Sequence, residues 1–190
     1  DLSDGVTQML YNQGDMAAYA AAKPLAGAPD TIWNYSSGTA NILSRIIRDT
    51  VGGAITDYWA FPQEALFHRI GVNSAIIEPD ASGTFVGSSY VYTTARDWAR
   101  FGLLFAQDGV WNGERILPEG WVDYVRTPTP PSLGEYGGMW CLNAGEPGKP
   151  ETKEWPDMPD DTYYAEGHDG QDVVIFPSQN MVVVRLSVSR

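Results

Sequence analysis

The chain has 190 residues, enough to bury a substantial core, and its 24 acidic against 12 basic residues give a formal net charge of −12. This acidity argues against nucleic acid or an anionic membrane surface as the partner, because both bind basic faces. No apolar run approaches the roughly 20 residues of a membrane span, and the single cysteine, Cys141, excludes an intrachain disulfide and a cysteine-rich metal site.

The first half of the sequence predicts helices separated by loops rich in glycine and proline. Asp15 is placed to cap a short alanine-rich helix over 16–22, which ends at Lys23-Pro24 because the residue before proline avoids the helical region. A second helix is expected over about 37–50. Its apolar residues recur at the spacing that turns one stripe toward a core: Ile42, Leu43, Ile46 and Ile47.

The stretch WNYSSG, 33–38, leads into this second helix. Ser36 or Ser37 is a natural N-cap, because a short side-chain oxygen can accept from the first free backbone N–H groups. Tyr35 therefore lies at or just before a helix N-terminus, whose partial positive charge favours an anion. A phenol in that field, near a second cation, can act as a base near neutral pH. The alternative is an ordinary half-buried tyrosine in a turn.

Further helices are predicted over 55–70, with a break or a fresh first turn at Pro62, and after Thr94, which with Asp97 resembles a capping box. The small residues of 83–90 allow a close approach of backbone to a ligand or to another strand. Two turn signals around Val110-Trp111 predict a small hairpin, and Pro118 opens a short helix through Val125.

The last third of the sequence favours strands. Residues 136–143 are consistent with one strand, and the irregular stretch 144–161 is typical of a lid or binding loop. The remaining β-rich segments predict an antiparallel hairpin that closes the fold, with a turn at 177–180. They are Tyr163-Tyr164, Asp172–Phe176 and Met181–Val188.

Several common catalytic patterns are absent from the sequence. No serine has a lysine three residues later, and no Gly-x-Ser-x-Gly motif occurs. The two histidines, His68 and His168, are not in an HExxH pattern, and the acidic residues of 157–161 lack the spacing of a calcium loop. We therefore expect neither a metal nor a cofactor, and this segment alone has no recognisable nucleophile.

Five segments together resemble one family. In chain order they are WNYSSGTANILSRII, LFHRIGV, GSSYVYTTARDWARFGLLF, GVWNGERILPEGWV and GHDGQDVVIFP. They resemble the serine hydrolases of the class C β-lactamase and penicillin-binding-protein-like family, in particular its esterase and aminohexanoate-dimer hydrolase branch. The resemblance covers roughly residues 5–190.

This resemblance implies an α/β fold of the α+β type, with an antiparallel sheet flanked by helices. Residues 1–190 would form a single domain, mostly helical over 37–126 and with the C-terminal strands in 136–190. The chain would be the C-terminal part of the enzyme, because the family places a Ser-x-x-Lys helix and two N-terminal strands upstream. It would then need the N-terminal part of its own domain as a partner. Many relatives are exported, which favours a periplasmic or secreted location over a cytoplasmic one.

The resemblance also assigns roles to individual residues. Tyr35 would be the family's catalytic tyrosine, which takes the serine proton and then protonates the leaving group. Ser37 stands where the family's Tyr-x-Asn element has asparagine, and His168-Asp169-Gly170 stands where it has Lys-Thr-Gly. The backbone N–H of Gln171, next along the edge strand, would supply one arm of the oxyanion hole.

The lost lysine bears on the substrate. A fixed cation suits the carboxylate of a β-lactam, whereas His168 is mostly neutral near pH 7. We therefore expect a small ester or amide with little negative charge. Trp140 and Trp155 are candidates for the apolar wall of its pocket, with core positions as the alternative. Two other functions stay open, a catalytically inactive penicillin-recognition-like binding module and a stand-alone interaction domain.

Overall fold

The computed structural model describes residues 5–188. The chain divides into two compact units. Unit 1 comprises Asp1–Ala65 and Ser74–Tyr92, and unit 2 comprises Leu66–Asn73 and Thr93–Arg190. Helices together with an antiparallel sheet confirm the predicted α+β class.

Unit 1 is mainly helical, and two of its helices begin at predicted caps, Asp15 and Ser36. The side chain of Asp15 accepts from the backbone N–H of Ala18 at 2.9 Å, so the first predicted cap is confirmed. A two-stranded antiparallel sheet completes the unit. The elements are α1 (Val6–Asn12), α2 (Met16–Ala21), α3 (Ser37–Val51), α4 (Ile55–Pro62), β1 (Ile76–Ile77) and β2 (Val91–Tyr92).

The predicted orientation of the apolar stripe on α3 is wrong. Leu43, Ile46 and Ile47 are 42%, 54% and 48% exposed. The buried side of the helix carries instead the small and polar residues Ala40, Asn41 and Ser44. Apolar periodicity therefore located the helix correctly but did not show which side faces the rest of the unit.

Polar bonds explain why the other side of α3 is buried. The side-chain oxygen of Asn41 accepts from the backbone N–H of Gly87 at 2.9 Å, and the Ser44 hydroxyl donates to the carbonyl of Phe85 at 2.7 Å. A Cβ at Gly87 would lie 2.6 Å from the carbonyl oxygen of Ala40. The small residues of 83–90 thus allow a close backbone approach, but to helix α3 rather than to a ligand or another strand as predicted.

The helical stretch from 55 to 70 changes its winding along its length. The α-helix ends at Pro62, a π-helical turn follows over Gln63–Phe67, and a 3₁₀ turn over His68–Ile70 ends at Gly71 with a left-handed φ of 73°. The α-helical winding thus ends at Pro62, but the helical stretch continues into the π-helical turn, so the structure shows a change of winding at this proline.

Unit 2 is built on a four-stranded antiparallel sheet in the order β5-β6-β7-β8. The long helix α5 packs on β7 and β8, and Thr94 caps it by accepting from the backbone N–H of Asp97 at 3.3 Å. The elements are α5 (Ala95–Ala106), β3 (Val110–Trp111), β4 (Glu114–Arg115), α6 (Trp121–Arg126), β5 (Cys141–Leu142), β6 (Tyr163–Gly167), β7 (Gln171–Phe176) and β8 (Met181–Arg185).

Three boundaries in unit 2 differ from the prediction. Helix α6 begins at Trp121 rather than Pro118, after Gly120 with a left-handed φ of 76°. Only Cys141–Leu142 of the segment 136–143 forms a strand, and β8 ends at Arg185. The small hairpin is confirmed as β3 and β4, joined by Asn112 and Gly113 with φ values of 50° and 83°.

Candidate active site

Tyr35 stands immediately before the helix cap of α3. The hydroxyl of Ser36 accepts from the backbone N–H of Thr39 at 3.2 Å, so Ser36 is the N-cap and Ser37 is the first helical residue. Tyr35 is 64% exposed. Its phenol is therefore accessible at the positive end of a 15-residue helix, which suits a group that must carry negative charge while it acts as a base.

The segment that stands in place of Lys-Thr-Gly forms a hairpin turn. Residues His168-Asp169-Gly170 connect β6 to β7, and the φ values of Asp169 and Gly170 are 58° and 80°. The side chain of His168 is 97% exposed, with its Nε2 3.6 Å from the carboxylate of Asp169. The prediction that this segment continues a strand is wrong, because both central residues adopt the left-handed conformation of a tight turn.

Gln171 is the first residue of β7 and pairs with Gly167 across the turn. Its side-chain amide donates to the carbonyl of Ser187, and the N–H of Ser187 donates back to Oε1 at 3.3 Å. Strand β7 lies between β6 and β8, so the expected edge position is wrong for the described residues 5–188. The ladder with β8 starts one residue further on, at Asp172, which leaves Gln171 at the end of the sheet.

Trp140 belongs to the core of unit 2, which was the alternative to a pocket wall. Its side chain is 6% exposed and contacts three aromatic rings. The ring centroids of Phe101, Phe105 and Tyr163 lie 6.1, 4.6 and 5.2 Å from its own. A side chain enclosed in this way contributes to packing, not to a ligand surface.

Trp155 lies in the irregular segment 144–161, where the structure describes only one short 3₁₀ turn, Pro150–Thr152. Its ring is half-buried, with its centroid 4.3 Å from that of Tyr164 on β6. Asn143, which no sequence signal identified, bonds to this segment. Asn143 is fully buried, and its side-chain amide bonds to the backbone of Trp155 in both directions.

Carboxylates surround this part of unit 2. Burial raises the pKa of the Cys141 thiol to about 12, and the negative charges of Glu166, Glu154 and Glu135 act in the same direction. Burial likewise raises the pKa of the Tyr164 phenol above its ordinary value, again with the help of these carboxylates. Both groups therefore stay protonated near neutral pH.

The structure thus groups the predicted site residues within each unit. In unit 1, Tyr35 precedes the N-cap of α3 and Ser37 begins the helix, and in unit 2 the turn His168-Asp169-Gly170 leads to Gln171, the first residue of β7. Among residues 5–188, no cluster of three histidine, cysteine, aspartate or glutamate side chains could hold a metal ion. Within the same residues, no helix combines the length and the apolar character needed to cross a membrane.

Comparison with known proteins identifies related sequences and structures. A sequence model of the family described as Beta-lactamase matches residues 1–189. Among solved structures, the chain is similar to a protein from Bacillus anthracis described as a candidate 6-aminohexanoate-dimer hydrolase, with a TM-score of 0.73 and 23% sequence identity. The match covers 90% of this chain and 42% of that one, so the chain spans less than half of its length. No curated protein matches. At this identity the structural likeness shows the fold alone.

Proposed function

The chain belongs to the β-lactamase family, and we propose that it contributes to a hydrolase that forms a serine acyl-enzyme on ester or amide substrates. The sequence holds no serine with a lysine three residues later. The proposal therefore assigns the nucleophilic serine and its lysine to a segment N-terminal to Asp1. The match covers 42% of the similar structure from Bacillus anthracis, so that protein contains residues beyond the matched part.

The position of Tyr35 carries the proposal. As a phenolate it accepts the proton of the serine hydroxyl while the serine oxygen bonds to the carbonyl carbon and the carbonyl electrons move to oxygen. The phenol then gives the proton to the departing alkoxide or amine as the tetrahedral intermediate collapses to the acyl-enzyme. In the second half of the reaction, water attacks the acyl-enzyme and gives its proton to Tyr35, which returns a proton to the serine oxygen as the acid is released. The exposure of Tyr35 leaves its side chain accessible, and the adjacent N-terminus of α3 favours negative charge nearby.

The backbone N–H of Gln171 serves in this proposal as one oxyanion donor, and the N–H of the nucleophilic serine serves as the other. The turn that precedes Gln171 supports the role, because Gln171 lies at the end of the sheet. Ser37 provides a hydroxyl where the family has an amide, and His168 and Asp169 provide an exposed pair that bounds the site. A donor fixed by backbone structure loses little energy to reorganisation during the reaction.

Charge selects the substrate class. The net charge of −12 disfavours a substrate that carries its own carboxylate. His168 supplies no permanent cation at the position of the family's lysine. We therefore propose a neutral or cationic small ester or amide rather than a β-lactam. A chromogenic cephalosporin turned over by the full-length protein as fast as short nitrophenyl esters would contradict this substrate class.

Covalent labelling of the full-length protein tests the reaction class. A fluorophosphonate probe and a fluorescent penicillin are each incubated with the protein, and the modified peptide is identified by mass spectrometry. We expect one labelled serine with a lysine three residues later. The replacement of the family's asparagine and lysine by Ser37 and His168 favours one alternative, a catalytically inactive binding module. Absence of labelling with both probes would support that alternative and reject the hydrolase.

A further inference from the structure

The side chain of Asn143 binds the backbone of Trp155 from two sides. The backbone N–H of Trp155 donates to Oδ1 at 2.9 Å, and Nδ2 donates to the carbonyl of Trp155 at 3.0 Å. Nδ2 also lies 3.3 Å from the carbonyl oxygen of Pro159. Asn143 is 0% exposed, so these bonds satisfy an amide that water cannot reach. Asn143 therefore helps to fix the backbone at Trp155, whose carbonyl also accepts from the N–H of Met158 at 3.0 Å.

We call the bonds of the Asn143 side chain to Trp155 and Pro159 the tether. The tether connects the irregular segment 144–161 to the sheet. Asn143 directly follows β5, and its backbone N–H donates to the carbonyl of Thr162 at 3.0 Å, just before β6. The backbone bond between Asn143 and Thr162 thus joins the two ends of the segment, close to the bonds from the Asn143 side chain to Trp155. A long segment held by a buried polar side chain keeps one conformation only while every bond of that side chain is made.

The position of Trp155 links this tether to the candidate site. Its indole packs on Tyr164 of β6, and β6 leads directly into the turn that carries His168 and Gln171. The indole is half-buried, so part of its surface remains open to a ligand while the rest covers Tyr164. Aromatic surface of this kind supplies much of the apolar wall of a small-molecule site.

We propose that Asn143 is a positioning residue for substrate binding, which fixes Trp155 so that its indole forms an apolar wall for the acyl part of the substrate. This inference rests on the proposed hydrolase function, and on the placement of Trp155 in the site. Asn143 itself touches no substrate. Its loss releases the backbone at Trp155 and leaves the indole without a defined position, which weakens binding before it affects the chemical step.

Kinetics of the full-length enzyme with a short nitrophenyl ester test the proposal. We expect Asn143→Ala and Trp155→Ala each to raise KM by about tenfold with kcat changed less than about threefold, the pattern of lost uniform binding. The double variant should have a KM close to that of either single variant, because both substitutions remove the same contact between Trp155 and the substrate. Ser132→Ala is the matched control. Ser132 is also buried and bonds to Thr129 and Tyr136, so this change costs stability without touching the tether.

A spectroscopic readout follows the tether independently of turnover. With 5-fluorotryptophan incorporated, the resonance assigned to Trp155 by its loss in Trp155→Phe should shift or broaden in Asn143→Ala and stay unchanged in Ser132→Ala. An unchanged resonance in Asn143→Ala would overturn the proposal. So would an unchanged KM in Trp155→Ala, which decides the matter even if Asn143→Ala does not fold. Failure of the hydrolase proposal is distinguishable, since it shows as absent serine labelling with the wild-type protein.

Discussion

Gly102 on α5 lies directly against Val182 on β8. A Cβ at position 102 would stand 2.7 Å from Cγ1 of Val182 and 3.0 Å from Cγ1 of Val173. These distances are shorter than van der Waals contact, so the absence of a side chain at 102 sets how closely the helix approaches the sheet. Glycine lowers the stability of the helix itself, and the close packing of helix on sheet offsets this loss.

Gly102→Ala should therefore lower the free energy of unfolding by about 1–3 kcal/mol, the usual range for overpacking. Helical propensity favours alanine over glycine by about 1 kcal/mol. A lower free energy of unfolding in the variant would therefore come from the steric clash with Val182 and Val173. Urea unfolding of the two proteins measures it. Val182→Ala removes the methyl group that clashes, and Gly102→Ala should cost less in that background. A stabilising Gly102→Ala would show that α5 can move away from the sheet freely.

The cap of α3 gives a second prediction. Ser36→Ala removes the acceptor for the N–H of Thr39 and should lower the free energy of unfolding by about 1 kcal/mol. Ser36→Asn keeps a capping oxygen and serves as the control, with a change of a few tenths of a kcal/mol at most. Chemical unfolding followed by far-ultraviolet circular dichroism compares the three proteins. Equal stability of the alanine and asparagine variants would contradict the cap.

Stability should fall at alkaline pH. The pKa of the Cys141 thiol is raised to about 12 in the folded chain, against about 8.5 for an unfolded cysteine. The stabilisation is complete below about pH 8.5 and declines as the pH rises toward 12, because the unfolded chain then releases its proton first. The phenols of Tyr163 and Tyr164, whose pKa values burial also raises, act with the same sign above about pH 10.

Cys141→Ala isolates the thiol in this pH dependence. Between pH 9 and pH 11 the wild-type free energy of unfolding should fall more steeply than that of the variant, by at most about 1.4 kcal/mol per pH unit for one proton. Below pH 8 the two pH dependences should run parallel. Urea unfolding at a series of pH values provides the comparison, and parallel curves throughout the range would show that the thiol does not titrate differently in the two states.

Tyr35→Phe tests the proposed base most directly. Removal of the hydroxyl should reduce kcat of the full-length protein on a nitrophenyl ester by about 10²–10⁴-fold, the usual contribution of general acid–base catalysis. Tyr124→Phe is a matched control, since Tyr124 is 63% exposed against 64% for Tyr35 and lies outside the proposed site. A Tyr35→Phe variant with full turnover would exclude the phenol as the base, whatever the labelling of the serine shows.

Features decided within a few residues were predictable from the sequence. The cap at Asp15, the hairpin turn at Asn112-Gly113 and the helix start at Thr94 each depend on one side chain and the neighbouring backbone. The orientation of α3 was not predictable, because it depends on bonds from Asn41 and Ser44 to residues more than 40 positions away. Periodicity identifies an apolar side and contains no information about its partner.

In the candidate site too, features set by neighbouring residues were predictable and features set by distant residues were not. The position of Tyr35 before a helix cap followed from local signals, and its catalytic role stays a prediction. The turn at Asp169-Gly170 follows from a dipeptide that tolerates left-handed φ angles, and the resemblance to Lys-Thr-Gly obscured that local preference. Asn143 could not be selected, because its importance depends on a backbone group twelve residues away.

The side chain of Asn143 bonds main-chain atoms of the 144–161 segment, so these bonds do not depend on the exposed side chains of the segment. Substitutions at exposed positions such as Glu151, Asp157 and Met158 leave in place the peptide groups that bond to Asn143. Natural divergence, or a designed library, can therefore change the charge and size of this surface while its backbone path persists. New specificities would arise from such a segment without rebuilding the sheet beneath it.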